Sequence, residues 1–142
     1  MRVLFDVNVL IALVDAQHVH HSMAQTWWEA NRSFGWATCP LTENGLARII
    51  SQSGYKNRVT TTFAIDLLAE QVGEGDHAFW ADDISLRDST RFDPSSILGP
   101  GQITDAYLLA LAVKNGGRLA TLDRSVPLRA VRGAGPRHLA VI

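Results

Sequence analysis

Four carboxylates stand where an ionised side chain is either expensive or purposeful. Asp6 ends the run Val3-Leu4-Phe5, and Glu43 follows Pro40-Leu41-Thr42. Asp105 begins the apolar stretch Asp105-Ala106-Tyr107-Leu108-Leu109-Ala110-Leu111-Ala112, and Asp123 follows Leu119-Ala120-Thr121-Leu122. Singly, each has an ordinary structural reading. Glu43 and Asp105 complement helix N-termini, while Asp6 and Asp123 steady the turns that leave their strands. Jointly they pose a problem, because crowded carboxylates repel and some are driven neutral at considerable cost. A hard divalent cation resolves the conflict, since it takes oxygen ligands and keeps some waters for substrate. An acid-only donor set argues for Mg²⁺ or Mn²⁺ over Zn²⁺. Asp6, Asp105 and Asp123 are the expected metal ligands. Glu43 would ligate a second ion, act through water or position the nucleophile.

Convergence of these four requires a particular scaffold. Arg2 to Phe5 reads as a buried strand, Val9 to Val14 as a brief helix, and Val19 to Asn31 as a helix with Ala24, Trp27 and Trp28 at 3–4 spacing. Trp36 to Thr38 is a short strand. Thr42 to Ser51 and Thr60 to Gln71 are helices, Phe79 to Ala81 a strand, and Asp93 to Gln102 a loop rich in Pro and Gly. Thr104 to Lys114 is the strongest helix, stopped by Gly116-Gly117; Arg118 to Thr121 and His138 to Ile142 are strands. Strands separated by helices predict an α/β fold, a three-layer α/β/α arrangement around a mainly parallel sheet of four to five strands. Ligands of open parallel sheets bind at the carboxyl edge of the strands. Asp6 and Asp123 end strands, and Glu43 and Asp105 open helices able to start on that edge.

Composition narrows the class. A chain of 142 residues fits one domain, 1–142, and is long enough to bury a core without staples. With 46% hydrophobic and 19% charged residues it is neither disordered nor a coiled coil. A single cysteine, Cys39, excludes an intrachain disulfide and a multi-cysteine zinc site. The net charge of −1 carries no global signal toward nucleic acid or membrane, so any partner is met at a local site. No signal peptide and no membrane span is evident, and a cytoplasmic location is expected. Charge is nevertheless uneven. Eight acids lie between Asp66 and Asp93, and five arginines lie from Arg118 onward against Asp123 alone.

Other features carry less. His18, His20 and His21 have no partner elsewhere to complete a metal site. Trp27 and Trp28 on an amphipathic helix read as core or interface before base-stacking. Gly99-Pro100-Gly101 lacks the Lys-Ser/Thr of a phosphate loop. Arg124, beside Asp123, is the cation best placed to reach a phosphate.

Asp6-Val7-Asn8 after an initial strand, Glu43, Thr104-Asp105-Ala106-Tyr107-Leu108 and Ala120-Thr121-Leu122-Asp123-Arg124 together resemble a PIN domain. The likeness is strongest to the VapC toxins of type II toxin–antitoxin pairs, especially the mycobacterial kind, and runs nearly the whole chain. It implies a Mg²⁺-dependent ribonuclease restrained by a VapB-type antitoxin, and a homodimer. Asp6, Glu43, Asp105 and Asp123 match the family's four acidic positions. Thr121 matches a hydroxyl two residues before the last acid, and Asn8 stands where many members carry Ser or Thr. Phosphodiester hydrolysis suits both lines of reasoning, because a carboxylate-held cation neutralises the phosphate and acidifies a bound water.

Two rivals remain open on the sequence. Asp6-Val7-Asn8-Val9 is also close to the nucleophile motif of haloacid-dehalogenase-like phosphatases, but that chemistry wants an acid at position 8 and a late lysine. Asn8 fails the first test, and Lys114, the only late lysine, precedes the last acid. A catalytically silent interaction module, with its acids only capping helices, is the other.

Overall fold

Short runs of alternating orientation build the sheet. The computed structural model describes residues 1–142. Val3–Phe5 (β1), Trp36–Thr38 (β2), His77–Phe79 (β3), Arg118–Thr121 (β4) and Leu139–Val141 (β5) form one sheet of order β3-β2-β1-β4-β5. Every pairing is parallel, with β1 at the centre between β2 and β4. Parallel neighbours require crossovers, which Val7–Val14 (α1), His21–Asn31 (α2), Pro40–Ser51 (α3), Thr61–Val72 (α4) and Ile103–Lys114 (α5) help to supply.

The period of two along the strands sorts the core into two layers. Val3, Phe5, Trp36 and Ala120 face a cluster with Val9, Leu10, Leu46 and Ile50 from α1 and α3, and α2 and α4 pack against it. Leu4, Ala37 and Leu119 face the opposite cluster, built on Leu108, Leu109 and Leu111 of α5. Helices therefore cover both faces of the sheet, as its uninterrupted apolar strands demand. Trp28 meets Phe5 edge-on at 5.2 Å and Trp27 does so at 6.4 Å, which packs both half-buried tryptophans against the core.

Caps move several boundaries from their sequence positions. Helix α1 starts at Val7, not Val9, because the Asp6 carboxylate accepts the Val7 N–H at 2.7 Å. Helix α3 starts at Pro40, not Thr42. Pro40 suits the first helical position, and Thr42 turns its hydroxyl back to the Cys39 N–H at 3.0 Å. Helix α2 starts at His21, leaving Val19 in the preceding turn and 85% exposed. Strand β3 is His77–Phe79, not Phe79–Ala81, with His77 opposite Trp36 and Phe79 opposite Thr38. Trp80 closes that ladder through its N–H to the Thr38 carbonyl, and its side chain lies over Gly117. The loop Asp93–Gln102 holds two tight turns, Pro94–Ser96 and Pro100–Gln102. No helix is long and apolar enough to cross a membrane.

Candidate active site

Three of the four carboxylates meet where β1, β4 and α5 come together. Asp6 leaves the end of β1 and is 7% exposed; its Oδ1 accepts from the Val7 N–H and its Oδ2 from the Thr121 hydroxyl at 2.7 Å. Thr121, fully buried at the end of β4, accepts in turn from the Asp123 N–H at 3.0 Å. Asn8 closes the group: its Oδ1 accepts the Leu122 N–H at 3.2 Å, and its amide nitrogen reaches Thr121 at 3.5 Å. Asp123 shapes the turn after β4 by accepting from the backbone N–H and hydroxyl of Ser125 at 2.8 and 2.7 Å.

Asp105 is the exception. It lies in the first turn of α5, 8% exposed, yet it caps nothing; Gln102 holds the N-cap position. Its Oδ2 is buried without any hydrogen-bond partner. The single-residue reading of Asp105 as a hydrogen-bonding cap therefore fails. Its negative charge suits the helix dipole, but its buried oxygen is left unpaired.

The electrostatics follow. Burial first, then the charges of Asp6 and Asp123, push the Asp105 carboxyl up to about 6. Burial also raises Asp6, opposed by the Thr121 and Val7 hydrogen bonds. Asp123 is lowered, chiefly by the Ser125 hydroxyl. Such strain between neighbouring acids is what a divalent cation relieves, and an all-oxygen donor set with one unpaired buried oxygen suits a hard one. The acids are not drawn into a closed cage: no three His, Cys, Asp or Glu side chains stand in a ready metal-holding arrangement. His18, His20 and His21 lie where the preceding turn enters α2. There, His18 Nδ1 accepts from the His20 backbone and His21 Nδ1 lies against the Ala12 carbonyl.

Glu43 belongs to a second group on the same edge. Its Oε1 accepts the hydroxyl proton of Thr38, the last residue of β2, at 2.6 Å. The Thr38 oxygen also lies 2.8 Å from His77 Nε2 on β3. Burial holds His77 below the ordinary imidazole range, partly offset by the Glu43 charge and reinforced by Arg2. Thr38 and His77 are absent from the sequence reading. The available signal was a hydroxyl ending a strand a few residues before an acid, the relation Thr121 bears to Asp123.

The family model for the PIN domain matches residues 3–133. This chain belongs to the PIN-domain family. It is 47% identical to Ribonuclease VapC44 of Mycobacterium tuberculosis over 142 residues, the whole of both chains. Ribonuclease VapC39 of the same organism is 42% identical over 127 residues, covering 89% of this chain and 91% of that one. Ribonuclease VapC38 is 42% identical over 124 residues, 87% and 86% of the two. In this PIN domain the phosphatase reading loses its residues as well. Asn8 commits its amide to the Thr121–Leu122 turn, and Lys114 pairs with Asp83 at the end of α5 remote from Asp105.

Proposed function

We propose that the chain, read as one PIN domain over residues 1–142, is a metal-dependent endoribonuclease of the VapC type and the toxin of a type II pair. One observation carries the site assignment: the partnerless, buried Asp105 oxygen beside Asp6 and Asp123. A bound Mg²⁺ or Mn²⁺ would neutralise the scissile phosphate and acidify an attacking water.

The chain's own residues do the rest. Thr121 fixes which oxygens Asp6 presents, and Ser125 does the same for Asp123. Asp105 supplies an oxygen with no competing donor. Arg124 is exposed and joins none of the four ion pairs, which leaves its guanidinium for an RNA phosphate. Glu43 serves as base, water-positioning group or ligand of a second ion. The names of the relatives support a VapB-type antitoxin as partner, the resemblance supports a homodimer, and RNA as target supports a cytoplasmic location.

The test is cleavage of a mixed RNA pool in Mg²⁺ or Mn²⁺ by the native chain and by Asp6→Asn, Asp105→Asn and Asp123→Asn. Each variant should keep its fold and lose orders of magnitude in rate. Asp88→Asn is the control, since that half-buried carboxylate, far along the chain from the candidate acids, serves only Thr90 and Arg91. Native-like cleavage by Asp105→Asn would remove the assignment.

A further inference from the structure

We infer that His77 and Thr38 form a two-step hydrogen-bond relay that fixes the Glu43 carboxylate, which makes both of them positioning residues for the reaction. The inference rests on the ribonuclease reading for its functional consequence, although the relay itself is a property of the fold.

Proton counting gives the relay its direction. A threonine hydroxyl has one proton, and that of Thr38 points to Glu43 Oε1 at 2.6 Å. The contact between Thr38 Oγ1 and His77 Nε2, at 2.8 Å, must then be donated by His77. Neutral His77 accordingly carries its proton on Nε2. The order is His77 Nε2–H to Thr38 Oγ1, and Thr38 O–H to Glu43 Oε1.

Each member is held by the sheet. Thr38 is fully buried at the end of β2, so its hydroxyl has no water to choose instead. His77 sits opposite Trp36 in the β2–β3 ladder, and the two rings pack at 4.6 Å, which limits rotation of the imidazole. Glu43 is carried on the first turn of α3 and makes no other side-chain hydrogen bond, so its Oε2 is left for the reaction. The arrangement repeats on the other side of β1. There Thr121, also fully buried and also last in its strand, donates to Asp6 Oδ2 at 2.7 Å. Two strand-terminal threonines thus each aim one acid, and the one on β2 is itself aimed by a histidine from the edge strand.

Removing an outer partner of this kind lowers activity or metal affinity by about 10- to 100-fold. Thr38→Val, which keeps the shape and loses the proton, should lower kcat in that range with KM little changed. Thr38→Ser should restore most of it. His77→Leu should lower kcat, and His77→Gln should recover part of the loss, because the glutamine amide places a donor where Nε2 stands. In a Glu43→Ala background neither Thr38→Val nor His77→Leu should cost anything further, since both act through Glu43. A merely structural role predicts additive losses.

A second measurement needs neither RNA nor metal. Nitrogen-15 NMR of the His77 ring in the full chain, at a pH where it is neutral, should show the Nε2–H tautomer. The Nδ1–H tautomer, or additive losses with Glu43→Ala, would overturn the relay even if the native chain cleaves RNA. If instead the tautomer is Nε2–H and the native chain cleaves no RNA, the relay stands as structure and the ribonuclease reading fails.

Discussion

Replacing Asp105 by Asn should stabilise the metal-free protein above pH 6 while destroying its cleavage activity. The magnitude follows from the site. The Asp105 carboxyl rises from 3.8 to about 6 on folding, about 2 pH units. At about 1.4 kcal/mol per unit this is about 3 kcal/mol against the native state once the group is ionised. Only 8% of the residue is exposed, so bulk water screens little of this. Side-chain relaxation and water entry still reduce it, leaving an expected gain of about 1–2 kcal/mol, or roughly 3–6 °C in Tm. The sign is fixed by linkage. A carboxyl whose native pKa is raised contributes stability that is complete below its unfolded value and lost as pH climbs through the native one. The native and variant chains should therefore melt together near pH 4 and separate toward pH 8, with the buried, raised Asp6 keeping the same sign in both. The assay is calorimetry with a chelator across that range, repeated with Mn²⁺, which should stabilise the native chain by mass action and the variant far less. A lower Tm for Asp105→Asn at pH 8, or an offset that does not change with pH, would refute the reasoning.

Two further outcomes test the packing. Gly117→Ala should cost about 1–3 kcal/mol in urea unfolding, because its methyl would lie 2.6 Å from the Arg2 carbonyl oxygen and 2.7 Å from Trp80, whereas Gly54→Ala meets open space and should be close to neutral. Cys39 is buried and its thiol is pushed up to about 11, so a disulfide reagent should label the native chain only as fast as it opens; labelling at the rate of a free thiol would contradict this.

Hydrophobic periodicity made the scaffold legible: the Ala/Leu run of α5 and the short β-rich runs at Val3–Phe5 and Arg118–Thr121 lie where the sequence places them. Its errors fall where a cap or a neighbour decides. Asp6 draws Val7 into α1, and Thr42 with Pro40 draws α3 back to the end of β2. The three residues of β3 have no periodicity to read, and only pairing with Trp36 and Thr38 fixes their register. At the site, acids at strand ends were visible because an apolar run ending in a carboxylate is conspicuous. The hydrogen bond that Glu43 takes from Thr38 was not, nor was His77, which reaches Thr38 across 39 positions. A single sequence holds no signal for a hydrogen bond that tertiary packing alone creates.

Because β1 is the middle strand, it depends on partners that lie far along the chain. Its neighbour β2 is 33 residues away at Trp36↔Val3, but its other neighbour pairs Val3 with Arg118, and the bond between Thr121 and Asp6 closes a loop of 115 positions. Closures of that length come late, since their entropy is lost before any contact repays it. A nascent chain that has not yet reached Arg118 holds Asp6 and Glu43 but lacks β4, Thr121 and Asp123. Such a chain holds only part of the proposed centre. On the reading proposed above, activity therefore waits on the docking of β4, the step that carries Thr121 and Asp123 to Asp6.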